Sequence, residues 1–200
     1  MDPVADAAGL KLFLADLKVD PRFTSASADE HVAKYRNLCL AIYPQLPKLF
    51  SIRCLPRTPF AVVPTPAAQA DAAPSAYYLG GAGDGTRPGT FYVNCSSLVD
   101  RPFYEAEALA LHEAIPGHHT QTMLAAENAN LPPFRRFMDD RRYSEAPGRY
   151  PIDGAFIEGW GLYSESLGSE LGCYKDPFQL VGRLSAEMFR ACRELYLFLF

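Results

Sequence analysis

The chain reads as a mainly α-helical protein with a small antiparallel β-sheet, and three observations predict that class. Apolar residues recur at helical spacing before residue 50 and again beyond residue 100. Between these regions lies a section crowded with proline and glycine, where long helix is excluded but short β-branched and aromatic runs recur. With 200 residues, 48% of them hydrophobic, the chain can build one domain around a real core. The expected organisation is a single domain over 1–200: helical over 1–50, short strands and loops over 51–99, and helical again over 100–200.

The first clear element is "ADEHVAKYRNLCLAIY", from Ala28 to about Tyr43, with Val32, Tyr35, Leu38 and Ile42 on one face, Ser27 as N-cap and Pro44 as terminator. His31 is expected to be a solvated surface residue of that helix. In the middle section "FAVV", "AYYL" and "TFYVNC" have the composition of short strands, with a loop from Gly80 to Gly89. Pro59, Pro64 and Pro66 suit edge positions or turns. Asp100 is placed to cap a helix entered through Pro102, whose core face would carry Phe103, Ala106, Ala110 and Leu109 or Leu111. Further helices are expected at about Pro133–Tyr143, Gly154–Leu171 and Pro177–Leu197.

Charge and composition exclude several function classes. A net charge of -4, with Lys+Arg at 19 against Asp+Glu at 23, argues against a nucleic-acid partner, which calls for a basic surplus. No run is apolar enough for a membrane span, and "MDPVADAAGLKLFLADLKVD" lacks the pattern of a secretory signal, so the expected location is the cytosol. Cys39, Cys54, Cys95, Cys173 and Cys192 occur singly without CxxC spacing, and are expected to be reduced and mostly buried.

Chemistry concentrates in "LALHEAIPGHHTQ", which holds three of the four histidines. In a His-Glu-x-x-His helix, two imidazoles four residues apart share a face and can bind one zinc ion, while the glutamate faces the attacking water. His112 and Glu113 begin such a motif, but Pro116 stands where the second histidine belongs. In a regular helix neither His118 nor His119 could share a metal with His112. A bulge or break at Pro116-Gly117 that looped out about two residues would return His118 to the second position. The residues alone leave two readings open: a metal site, or a solvated junction between helices. If the first holds, the helix must break between Ala114 and His118, and a later carboxylate must face the gap. "GAFIEGWGLYSESLGSELG" offers one: Glu158 and Glu165 lie seven apart on one helical face, with Tyr163 close by. Glu158 stands among Phe156, Ile157 and Trp160, where burial would demand a positive partner.

Taken together, "RPGTFYVN", "HEAIPGHHTQ", "FIEGWGLYSESLGSELGCYKDPF" and "RLSAEMFRACR" resemble the DUF885 family, proteins read as zinc peptidases related to the gluzincin oligopeptidases. The resemblance runs from about Ala7 to Arg193. It implies a gluzincin-like helical metallopeptidase core and one Zn2+ held by His112, His118 and Glu158. His118 is chosen because the oligopeptidase pattern "HE..GH" aligns with His112, Glu113, Gly117 and His118 when two residues are inserted. His119 is the alternative ligand or a hydrogen-bonding neighbour, and Glu165 the carboxylate that orients a ligand imidazole. The resemblance further implies hydrolysis of short peptides, with Glu113 as general base toward water activated by the zinc. "GTFYVN" is expected to form an edge strand beside the cleft, with Tyr92 or Asn94, and Tyr163 from the later helix, reaching toward substrate. Members of this family usually extend beyond both ends of the present sequence, so an incomplete core is expected here. The alternative reading is a catalytically inactive form that retains a zinc- or peptide-binding surface.

Overall fold

In the computed structural model, residues 7–82, 84–137 and 154–199 are described. The chain opens with helix α1 (Ala7–Lys18), followed by α2 (Ala28–Ile42). Ser27 caps α2 as expected: its hydroxyl accepts the Glu30 N–H at 3.2 Å, while the Glu30 carboxylate reaches back to the Ala26 N–H at 2.7 Å. Pro44 falls in a short 3-10 segment, Tyr43–Lys48, that ends the helix. Three strands occupy the predicted runs: β1 (Phe60–Pro64), β2 (Ala76–Leu79) and β3 (Gly89–Val93). A short helix α3 (Ala67–Ala70) separates β1 from β2.

The sheet is mixed rather than antiparallel. Its order is β1-β3-β2, with β2 antiparallel to β3 through the loop after Leu79, and β1 parallel to β3. The connection through α3 carries the chain across to the far edge, so β1 and β2 never form the hairpin that their sequence proximity suggests. Consequently β3, the strand of "GTFYVN", is the central strand and not an edge; β2 is the edge nearer the helices that follow.

Beyond the sheet, a 3-10 turn (Phe103–Glu105) leads into α4 (Ala106–Glu113). Asp100 does not cap that helix. It closes a separate 3-10 turn, and its carboxylate accepts the Ser97 hydroxyl at 2.5 Å. Helices α5 (His118–Glu127), α6 (Pro133–Arg136), α7 (Gly154–Leu171) and α8 (Pro177–Leu199) complete the described fold. The expected continuation of α6 to Tyr143 lies partly outside the described residues.

The core forms where α2, the sheet and α4 meet: Val32, Tyr35 and Ile42 face Phe91 and Val93, with Ala106, Ala110 and Leu111 closing the layer. Ala106, Ala108 and Ala110 keep α4 slim, which lets neighbouring elements approach it closely. Among the described residues the cysteines are all free, but only Cys39 and Cys173 are buried; Cys54 and Cys192 are exposed and Cys95 lies between. His31 also departs from expectation. It is 1% exposed, shares a 3.0 Å hydrogen bond between Nδ1 and the Ser25 hydroxyl, and packs edge-on against Tyr35. The face of α2 that meets the core includes positions 31 and 39 along with 32, 35 and 42, and so reaches one residue beyond the start of the apolar pattern.

Candidate metal centre

The centre is built where α4 stops. Helix α4 ends at Glu113, residues 114–117 form turns, and α5 begins at His118, so the helix breaks where the motif requires it. The Ile115–Pro116 peptide is cis. Gly117 lies so close to the His112 carbonyl that an added Cβ would overlap it. Only glycine lets the chain double back there. The Trp160 indole N–H donates to the Pro116 carbonyl at 2.9 Å, and Gln121 Nε2 donates to the Phe156 carbonyl at 3.1 Å, tying the break and α5 to α7.

Helix α7 then frames His112 from both ends of its ring. Glu158, Gly161, Glu165 and Gly168 recur at spacings of three and four, so they share a helical face toward α4. Glu158 Oε2 stands 3.3 Å from His112 Nε2, and Glu165 Oε1 accepts His112 Nδ1–H at 2.7 Å. Between the two carboxylates Gly161 passes directly beneath the imidazole, where an added Cβ would meet ring atoms. His118 completes the group: its ring sits edge-on to His112 with centroids 4.6 Å apart, and its Nε2 lies 3.7 Å from Glu158 Oε1.

One ligand atom each from His112, His118 and Glu158 lie within 4.8 Å of one another. Zinc–ligand bonds of about 2.0–2.2 Å in a tetrahedral site put neighbouring donors roughly 3.3–3.6 Å apart, and the spacings to Glu158 come near that range. The donor set of two imidazoles and a carboxylate is the chemistry of a zinc site that leaves a position open. His118 Nδ1 is buried without a hydrogen-bond partner among the described residues. These residues fit a divalent cation of the zinc type.

Electrostatics divide the cluster. Burial works to lower the His112 pKa, but hydrogen bonds from its ring to the Glu158 and Glu165 carboxylates more than offset it and raise it to about 9. Burial, reinforced by charged His112, pushes His118 down to about 4. The His112 hydrogen bond holds Glu158 below the usual carboxylate range. Glu113, the last residue of α4, is pushed up to about 7 by burial, although its carboxylate also accepts the backbone N–H of Tyr78.

The remaining expected residues separate clearly. His119 turns away from the cluster: its Nδ1 pairs with the Tyr78 hydroxyl at 2.9 Å and its ring packs on Phe60, and it lies outside the group of His112, His118 and Glu158. Glu158 is not a buried carboxylate among apolar residues; its side chain is 62% exposed. Tyr92 stacks on Tyr77 with ring centroids 4.8 Å apart. Because these two form a cross-strand pair adjacent to the Tyr78–Phe91 pair, they occupy the sheet face opposite Tyr78 and the site. Asn94 is fully buried; its amide nitrogen donates to the carbonyls of Ala70, Ala73 and Pro74, and its oxygen accepts from Ser96. It clamps the α3–β2 connection and has no group to offer a substrate. Tyr163 is exposed beside Trp160, with ring centroids 5.8 Å apart. Two contributors escaped the sequence reading. Tyr78 joins Glu113 to His119 from strand β2, and Arg190 of α8 donates to Glu165 Oε1 at 2.8 Å.

A family model described as "Bacterial protein of unknown function (DUF885)" matches residues 1–195. The chain belongs to the DUF885 family. A solved structure described as "the putative lipoprotein from Colwellia psychrerythraea" is similar to this DUF885 chain at 31% sequence identity, with a TM-score of 0.77 over 90% of the chain. The chain spans 29% of the length of that structure. No curated protein matches the DUF885 chain. Among its described residues no helix is long and apolar enough to cross a membrane.

Proposed function

We propose that this DUF885 chain is a zinc-dependent peptide hydrolase whose centre is His112, His118 and Glu158 and whose general base is Glu113. The observation that carries the reading is the convergence of three donors across a helix break, directly beside a glutamate that burial has brought to about 7. A structural ion pair needs no such fourth group. A divalent cation bound there supplies Lewis acidity, polarising a carbonyl and making water easier to deprotonate.

The chain's own residues perform the rest. Glu113, poised near neutral pH, takes a proton from the attacking water and returns it to the leaving amide nitrogen. The Tyr78 N–H holds the Glu113 carboxylate in place, and His119 in turn holds the Tyr78 hydroxyl. Glu165 fixes the His112 ring by accepting Nδ1–H, which leaves Nε2 as the donor nitrogen facing Glu158. The exposure of Glu158 leaves this side of the group open to a substrate from solvent.

Metal content and turnover of a peptide library test the proposal together, on the protein and on Glu113→Gln. About one zinc per chain is expected in both, with peptide hydrolysis falling by a factor on the order of 10²–10⁴ in the variant. Zinc bound with no hydrolysis by the unaltered chain would support instead a non-catalytic, metal-retaining binding surface. Absence of bound metal would overturn both.

A further inference from the structure

Helix α8 contributes to the centre from behind. Arg190 donates from one guanidinium nitrogen to Glu165 Oε1 at 2.8 Å, and the same oxygen accepts His112 Nδ1–H at 2.7 Å. Three helices therefore meet on a single carboxylate oxygen: α4 through His112, α7 through Glu165 and α8 through Arg190. The Glu165 side chain is 2% exposed, and its second oxygen is buried with no hydrogen-bond partner among the described residues. Arg190 is the only group besides His112 with a hydrogen bond to that carboxylate among the described residues.

We propose that Arg190 is a positioning residue for the metal centre: by holding Glu165 Oε1 it fixes the carboxylate that orients His112, so that His112 presents Nε2 to the cation. This inference rests on the reading of His112 as a ligand given above. An imidazole has two nitrogens, and the partner of one decides which lone pair the other offers. A buried carboxylate with only one partner is held in direction by a single contact, and without the Arg190 guanidinium it is free to swing and carry the ring with it. Arginine suits the task because its guanidinium stays charged and its planar fork fixes the direction of the hydrogen bond.

Charge alone would act in the opposite sense. Arg190 is a cation close enough to influence Glu113, Glu158 and His118, so as a bare charge it repels a metal ion. Removing it would then tighten metal binding. Removing a positioning residue loosens it. The sign of the change separates the two roles.

Zinc affinity of the full chain, measured by chelator competition, tests the proposal on Arg190→Met, Arg190→Lys, Glu165→Gln and the double variant Arg190→Met/Glu165→Gln. Loss of an outer partner of a metal-binding histidine weakens binding about 10–100-fold, so Arg190→Met is expected to lose about tenfold and Arg190→Lys to recover part of that. In the Glu165→Gln background the further effect of Arg190→Met should vanish, because the two residues act through one contact. Ring ¹⁵N shifts of His112, recorded in the metal-free chain above pH about 9 where the ring is neutral, should move from one tautomer in the unaltered chain to a mixture in Arg190→Met. Should the Met variant fail to fold, Arg190→Gln is measured in the same way. Unchanged or tighter zinc binding in the variant, or an equal loss with and without Glu165, would overturn the proposal while leaving the metal reading standing. If the unaltered chain binds no zinc, the metal reading falls by itself and the ¹⁵N shifts alone decide whether Arg190 sets the His112 ring.

Discussion

Histidines are buried in two parts of this molecule, with opposite consequences. On α2, His31 has one hydrogen bond to Ser25 and an aromatic neighbour, and burial depresses its pKa to about 4. Across the core, His112 is almost as deeply buried, yet two carboxylates raise its pKa to about 9. Burial by itself makes a histidine an unreactive, neutral part of the packing. Burial between acidic groups, with one nitrogen facing an exposed carboxylate, keeps it charged and places it in a group of three possible metal donors. The difference lies in what the helix facing each ring brings to it.

The largest effect should come from removing each ring. His112→Ala is expected to abolish metal binding and with it hydrolysis, whereas His31→Ala should leave metal content near one per chain and lower stability by about 1–3 kcal/mol. Metal content by elemental analysis, alongside urea unfolding, checks both. Metal retained in His112→Ala would erase the distinction between the two regions.

A subtler change tests whether α7 sets the geometry. An added Cβ at Gly161 meets the His112 ring, while one at Gly159, on the same helix, meets nothing within 4 Å. Gly161→Ala should therefore weaken zinc binding about 10–100-fold through displacement of His112, and cost about 1–3 kcal/mol of stability from overpacking. Gly159→Ala should leave affinity unchanged and gain up to about 1 kcal/mol from helix propensity. Equal responses at the two positions would mean that the close approach of α7 does not hold the ring.

How much of this was legible in the sequence depends on the range of the interaction that decides each feature. The Ser27 cap, the three strand positions and the span of α7 follow from local chemistry, and the structure agrees with them. The helix break was legible too, because Pro116 and Gly117 act on their own neighbours. Strand pairing was not. Whether β1 meets β2 or crosses to β3 is settled by where α3 packs, which no local pattern encodes. The same limit explains Asn94, whose amide is satisfied by carbonyls 20 to 24 positions away, and Arg190, which is 25 positions from Glu165. Neighbouring histidines show the limit most sharply. His118 and His119 have almost the same local sequence, and contacts with Phe60 and Tyr78 of the sheet hold one ring away from the group of His112, His118 and Glu158.

The smallest expected effect concerns pH and returns to His31. Its pKa is about 4 in the folded chain against 6.5 for an unperturbed histidine, so between these values the unfolded chain binds more protons. Its neutral burial therefore costs nothing above pH about 6.5 and progressively destabilises the fold as pH falls toward about 4, by roughly 3 kcal/mol at the acid end. His118 and His119 titrate in the same direction, and His112 in the opposite one, so the total profile mixes several groups. Subtracting the profile of His31→Gln, which can still hydrogen-bond Ser25, isolates this one ring. Urea unfolding between pH 4 and 7 should then show a stability difference that grows in favour of the variant as pH falls and levels off near neutrality. A flat difference would mean that His31 gains its proton without leaving the core, and that burial on α2 does not by itself keep a histidine neutral.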